Sequence, residues 1–349
     1  MNSNRFYNMK HLALLTILVL TQGCAQKLGY IPQSGYAGQY TGIARLFTLN
    51  EITEQATLMA NDSYLFATGA GSGLGFYNFQ ASRPFTSGAS AFPVDPRTPN
   101  FLDGNAGNVL SMAQGGSFLY ISSNAGLYEI SLSQMNYPLV NYTLPYSRPD
   151  LFGTYTLSNG TPQFSEAAKQ NFRFGSMVYV PSTNEVWTFR AKERSRFSVG
   201  GLSQNPNLSR ELLGFNTSCN GEFKGSSAYL QGKVYVAACD GMKILKADST
   251  GSVIGTDTRL NPVQVVATRN LLYVHHQPGV ASGWGGYSNS NSNFPGGIYV
   301  LDANLNQVNY IAIEPISFAI SPDNQLLFAN EDNADVGAYR IPWTNSGIR

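Results

Sequence analysis

Charged side chains are what this chain has least of. Asp, Glu, Lys and Arg make up 12% of its 349 residues, about half the share usual in globular proteins. Lys and Arg total 22 and Asp and Glu 21, leaving a formal net charge of +1. Such a balance sets up no field to draw the protein toward nucleic acid, which removes that class of partner. No apolar run approaches the ~20 residues needed to span a bilayer as a helix; the longest, "LALLTILVL", has nine residues. Histidine is almost as scarce, with His275 and His276 the two beyond the N-terminal segment. Neighbours on a strand point to opposite faces, so these two do not form a paired metal site. There is no Gly-x-Ser-x-Gly elbow, and a Ser–His–Asp triad would depend on one of these imidazoles. The catalytic list is therefore empty.

The N-terminus carries the most specific signal. "MNSNRFYNMKH" bears Arg5 and Lys10, the apolar run follows, and "TQGCAQK" comes next. A basic start, a short apolar middle and a small residue before the cut mark a secretory signal. Leu20-Thr21-Gln22-Gly23-Cys24 resembles the lipobox of bacterial lipoproteins. That resemblance implies cleavage after Gly23, acylation of Cys24 with palmitate-type chains, and an address in the cell envelope. Ala25 stands where Asp would mark inner-membrane retention, so the resemblance points to the outer membrane, on its periplasmic or cell-surface face. The expected division is a signal peptide at 1–23, a lipidated tether at 24–39 and a single domain at 40–349. Two other cysteines, Cys219 and Cys239, would close a loop of about 21 residues if bonded, worth roughly 3 kcal/mol in an exported chain. The alternative is two buried thiols.

What the chain has in abundance is one repeated object. "FLYISSNAGLYEISL" (Phe118–Leu132) is a strand, a tight turn and a strand. Similar hairpins lie at Ser63–Phe79, Met177–Ala191, Lys233–Asp248, Leu271–Asn304 and Leu326–Ile341, with aromatic anchors at Tyr64, Tyr120, Tyr179, Tyr235, Tyr273 and Phe328. Gly, Asn and Asp in the turns supply the positive φ angles that tight hairpins need. A further apolar run precedes most hairpins and a weaker one often follows. Six units of three or four antiparallel strands, without a convincing helix, predict an all-β chain: a β-propeller of four-stranded blades. Six blades is the first count; seven stays open if "DLFGTYTL" or "SRELLGF" hides a degenerate blade. "GIARLFTL" (Gly42–Leu49) is the strand available to close the ring. Strict polar alternation is absent because blade strands are covered on both faces.

"ISPDNQLLFANEDNADVGAYRI" resembles the repeat of YVTN-type propellers, related to the lactonase-like and YncE-like families. Ser321-Pro322-Asp323 and Ala329-Asn330 match, and Asn324 stands in the usual Gly place. The resemblance implies fold rather than function. It also raises an alternative, a lactonase-like hydrolase with calcium in the channel, for which Asp240, Glu331, Asp332 and Asp335 are the candidate ligands; turn-forming Asp and Asn explain these positions equally well.

Two stretches stand out as binding candidates. Residues 276–297 insert some twenty Gly-, Ser- and Asn-rich residues into the fifth hairpin, with Trp284, Tyr287 and Phe294 available to stack on a sugar or anchor a partner. "RAKERSR" gathers Arg190, Lys192, Arg194 and Arg196, facing an anionic surface or simply solvent. The sequence thus predicts a monomeric, lipid-anchored scaffold or binding protein rather than an enzyme, without a cofactor, its partner an envelope protein or, for an adhesin, a glycan.

Overall fold

Val, Ile, Leu, Tyr and Phe fill the apolar runs, and such residues suit a pleated sheet covered on both sides. The computed structural model turns these runs into strands. It describes residues 44–49, 57–69, 73–78, 109–123, 126–132, 155–158, 161–164, 175–190, 193–200, 209–212, 226–238, 241–278, 294–330 and 336–341. In chain order the strands are β1 (Ala44–Leu49), then β2 (Thr57–Ala60), β3 (Tyr64–Gly69) and β4 (Gly73–Asn78) in sheet 1. Sheet 2 holds β5 (Val109–Gly115), β6 (Phe118–Ser123) and β7 (Gly126–Ser131). A separate pair follows, β8 (Tyr155–Ser158) with β9 (Thr161–Phe164). Sheet 3 comprises β10 (Ser176–Val180), β11 (Glu185–Arg190), β12 (Glu193–Ser198) and β13 (Ser209–Leu212). Sheet 4 has β14 (Ser227–Leu230), β15 (Lys233–Ala238), β16 (Gly241–Lys246) and β17 (Val253–Asp257). Sheet 5 has β18 (Pro262–Ala267), β19 (Leu272–His276), β20 (Gly297–Leu301) and β21 (Gln307–Ile311). The last strands are β22 (Ser317–Ile320), β23 (Leu326–Asn330) and β24 (Val336–Arg340). All the pairings are antiparallel, and among the described residues there is no α-helix.

Sheet 6 is completed from the far end of the chain. β1 pairs with β24 from Ala44↔Arg340 to Leu49↔Val336, with a bulge between Arg45 and Phe47. The strand expected to close the ring therefore supplies the fourth strand of the last sheet.

The first strands of sheets 1 to 6 touch in a closed cycle, β2 to β5, β10, β14, β18, β22 and back to β2. Side chains stitch that cycle together. Ser176 donates to Ser227 at the starts of β10 and β14. Ser226 holds Val265 of β18 through both its backbone N–H and its C=O. Gln264 does the same for Phe318 of β22, accepting from its N–H at 2.9 Å and donating to its C=O at 2.8 Å. At the opposite ends of these strands, Asn61 donates to Gln114 and Asn324 to Asn270. Starts meet starts and finishes meet finishes, so the first strands run in one direction, from an entry end of the ring to an exit end.

The core lies in the wedges between sheets. Leu58 and Leu65 of sheet 1 pack on Phe328 and Ala338 of sheet 6, and Tyr273 and Val300 of sheet 5 pack on Phe318 and Leu327. Each second strand carries a buried aromatic at its third position, or at its second in β19: Phe66, Tyr120, Trp187, Tyr235, Tyr273 and Phe328 are all exposed by 1% or less. This corrects two of the anchors read from sequence. Tyr64 is half-buried two residues before Phe66, and Tyr179 belongs to β10, a first strand. Met177–Ala191 is therefore the first-to-second hairpin of its sheet, one strand out of phase with the others. Its turn misled because Asn184 adopts φ 53° there, imitating the Gly and Asn turns of the other hairpins. The true second-to-third turn has only residues 191–192 between its strands.

The Ser-Pro-Asp-Asn turn joins β22 to β23. Asn324 adopts φ 61°, the left-handed conformation for which Gly is the usual choice. Asp323 accepts from the Gln325 N–H, and Ser321 accepts from the Leu326 N–H.

Candidate binding end of the ring

Strand direction fixes which connections share an end. A first strand leaves the entry end, so every second-to-third and fourth-to-first connection returns there. The longest of these with both feet described is the insertion between β19 and β20, and its feet are held by side chains.

At the C-terminal foot, three successive backbone carbonyls each accept a hydrogen bond from a ring on a different strand. Phe294 C=O faces Nε2 of His276 on β19 at 3.3 Å, Pro295 C=O accepts from the Tyr299 hydroxyl on β20 at 2.8 Å, and Gly296 C=O accepts from the Tyr310 hydroxyl on β21. The rings also pack on one another. Tyr299 lies 5.0 Å from Tyr310 and meets His276 edge-on at 5.6 Å, centroid to centroid, while Phe294 closes the group 6.1 Å from Tyr299. Gly297 follows at φ 143°, where a Cβ would meet the Ile311 carbonyl at 2.7 Å, so the chain re-enters β20 only as glycine. At the N-terminal foot, the Asn261 C=O accepts from the Gln277 N–H at 3.1 Å, its side-chain amide donates to the Gln277 C=O at 2.8 Å, and its own N–H donates to Nδ1 of His276 at 2.7 Å. His276 thus touches both feet, as acceptor at Nδ1 and donor at Nε2.

Burial shapes the titration of these groups. It lowers the His276 pKa, and a proton on Nδ1 would in addition confront the Asn261 N–H with a second donor. Burial raises Tyr299, helped by Tyr310, and pushes Tyr310 up to about 12, helped by Glu314. Both phenols therefore stay protonated and keep donating through the whole physiological range. On the other face of β19, His275 is 4% exposed, and neither ring nitrogen has a hydrogen-bond partner among the described residues. Burial, with His276 next to it, holds its pKa down to about 4.

The basic cluster resolves differently from its surface reading. Arg194 is 1% exposed. Its guanidinium lies 4.5 Å over the Trp187 ring and donates to the carbonyls of Gly251 at 2.7 Å and Thr250 at 3.1 Å, in the β16–β17 turn of the next sheet. Arg196 donates to the Ser249 carbonyl of the same turn at 2.8 Å and lies 3.9 Å from Glu185. Arg194 is thus withdrawn from any external partner because the ring uses its charge internally. Arg190 ends β11 with its backbone alone described, and Lys192 lies outside the described residues.

Phe294 is likewise half-buried at the foot rather than displayed on the insertion. Trp284 and Tyr287 lie outside the described residues, as do Cys24, Cys219, Cys239, Asp240, Glu331, Asp332 and Asp335. Among the described residues, no three His, Cys, Asp or Glu side chains gather to hold a metal ion. Of the clamp residues, His276 was singled out in the sequence but not for this role, and Asn261, Tyr299 and Tyr310 went unnoticed. Their signal was the pair of tyrosines downstream of the "PGG" re-entry, which share a cross-strand position, Tyr299↔Tyr310.

No family model matches the chain, and no curated protein matches it. Among solved structures, it is similar to the WD40 domain of Pan2 from Neurospora crassa, with a TM-score of 0.51 at 10% identity, covering 88% of this chain and 97% of that one. A chain of a Mitotic Checkpoint Complex crystal structure aligns with a TM-score of 0.45 at 11% identity, covering 84% of this chain and 79% of the other. At such identities the likeness speaks to fold alone. The fold is a β-propeller. Its inter-sheet wedges are what the cycle of first strands would require, and the clamp sits at the entry end of this propeller.

Proposed function

We propose that this chain is a six-bladed, lipid-anchored propeller of the bacterial cell envelope that binds a protein or glycan partner and is not an enzyme. One observation carries the binding role: the insertion between β19 and β20 is gripped at both feet by Asn261, His276, Tyr299 and Tyr310. A mere linker needs no such fixing, whereas a recognition segment gains affinity when its ends are held beforehand. The closed cycle of first strands, with β1 completing the sixth sheet, supports the count of six blades. The anchor rests on the lipobox resemblance at Cys24, and the Trp284 and Tyr287 side chains are the contacts we assign to recognition.

Crosslinking in intact cells, followed by identification of what is captured with the lipidated protein, tests the reading. Replacing 279–293 by a short Gly-Ser bridge should leave the melting temperature near that of the native domain and abolish capture. Undiminished capture by the shortened chain would refute the role given to the insertion. Ordinary enzymatic turnover of lactones or sugar esters by the purified domain would refute the non-enzymatic reading. Cys24→Ser should lose both palmitate labelling and membrane fractionation.

A further inference from the structure

We infer that the propeller sits on its membrane by the exit end, with a lipid surface beneath its tight turns and the feet of the insertion, Gln277 and Gly296, at the end facing away. The inference rests on the anchor proposed at Cys24 and adds to it an orientation.

The argument follows strand direction. β1 occupies the fourth position of sheet 6, antiparallel to β24, and its first residue, Ala44, pairs with Arg340, the last residue of β24. A third strand finishes at the exit end, so Arg340 and Ala44 both lie there. The chain from Cys24 therefore enters the ring at the exit end. The feet of the insertion, Gln277 and Gly296, lie at the opposite end, where second strands finish and third strands begin.

Reach supports the same pose. Nineteen residues separate Cys24 from Ala44. A coil of that length averages roughly 25 Å between its ends, and strands of five or six residues make the ring about 20 Å deep. Seating the exit end on the bilayer uses a short span of tether. Seating the entry end would draw the tether past the full depth of the ring and around its rim.

The exit end also suits a flat surface. Its described connections are short, among them residues 61–63, 231–232 and 302–306. Charges of both signs stand along it, Lys233, Lys246 and Arg340 against Asp62, Asp248 and Asp302, so the tether rather than headgroup charge selects the pose.

Energy transfer tests this in full-length lipidated protein reconstituted into vesicles of phosphatidylethanolamine and phosphatidylglycerol carrying a headgroup-labelled acceptor. A donor dye is coupled to an azide-bearing residue placed at exposed Asn304, in the exit-end β20–β21 turn, or at Ile316, 48% exposed in the entry-end connection before β22. A second pair, Thr250 and Thr258, repeats the comparison should either first variant fold poorly. With the ends about 20 Å apart, transfer from Asn304 and Thr250 should exceed that from Ile316 and Thr258 by about twofold or more. Equal or reversed efficiencies overturn the orientation while leaving the anchor standing. Flotation separates the two ideas. Native protein should rise with the vesicles and Cys24→Ser should not; a native chain that stays behind overturns the anchor and the orientation together.

Discussion

Arg194 shows how a charge is made acceptable inside a ring of sheets. The guanidinium is covered by the Trp187 face on one side, and its donors meet the Thr250 and Gly251 carbonyls of the neighbouring sheet. Removing it strands those carbonyls and empties space beside a buried indole. Arg194→Ala should therefore cost about 3 kcal/mol in urea denaturation. Arg194→Lys should recover little, because an ammonium lacks the planar fork that spans two acceptors. A lysine variant as stable as native would refute the bidentate account. From the partner side, Gly251 adopts φ +53°, and a Cβ there would run into the Arg194 guanidinium. Gly251→Ala should lose about 2 kcal/mol by strain and displacement of the arginine. In Arg194→Ala the clash is gone, so the double variant should be less destabilised than the two losses added; strict additivity would contradict direct contact. His275 gives the ring a pH dependence. Its folded pKa, about 4, lies below the ordinary imidazole value of 6.5. The stability it contributes is present above pH 6.5, declines as pH falls through 6.5 toward 4 while the unfolded chain takes up a proton, and levels off below. The loss approaches about 3 kcal/mol, and His276, also lowered, adds in the same direction. His275→Leu removes an unpartnered imidazole and should be no less stable at pH 7, with a flatter profile between pH 7 and 4.5. An unchanged slope in denaturation series at those pH values would rule His275 out as its source.

Hairpins were the legible elements. "FLYISSNAGLYEISL" folds as β6 and β7, "KVYVAACDGMKILKAD" as β15 and β16, and the strand proposed for closure as β1. They could be read because β-branched and aromatic runs bounded by turn residues encode their own pairing locally. The phase of sheet 3 could not be read the same way. Its second-to-third turn lies within "RAKERS", where the sequence offers no Gly, Asn or Asp, and its third strand carries Arg194 and Arg196, which look solvated until the next sheet supplies acceptors. The clamp was hidden for a related reason: its acceptors are backbone carbonyls, which have no signature in side-chain identity. A prediction belongs to this scale. Tyr310→Phe and Tyr299→Phe each remove a hydroxyl and keep a ring, so the Gly296 and Pro295 carbonyls lose their donors while the ring packing stays. Each should leave global stability within about 1 kcal/mol yet increase protease cleavage within 277–296. Cleavage no faster than in the native chain would mean that the hydroxyls do not hold that foot.

At the scale of the whole molecule, closure is the decisive step, because a ring of wedge-packed sheets has two raw faces wherever it is open. Sheets 1 and 6 meet through Leu58, Leu65 and Ala67 on one side and Ala319, Phe328 and Ala338 on the other. β1 enforces that meeting: it is bonded to β24 in sheet 6 and followed, after residues 50–56, by β2 in sheet 1. Without β1 the same apolar contact remains available, but its two halves are the chain's most distant segments and must find each other against the entropy of a very long loop. A chain lacking residues 1–49 should therefore lose at least about 3 kcal/mol, counting only the ladder hydrogen bonds at about 1 kcal/mol each. The loss should reach the far side of the ring. Trp187 is fully buried between sheets 3 and 4, so its fluorescence should follow the lowered transition if the sheets unfold as one cooperative unit. Adding a synthetic peptide of residues 40–52 should then raise the melting temperature in proportion to the logarithm of its concentration once the site is largely occupied, since it binds the folded ring alone. If the truncated chain melts where the native one does, or if the peptide restores nothing, the ring is held by its wedges and β1 is only an added edge.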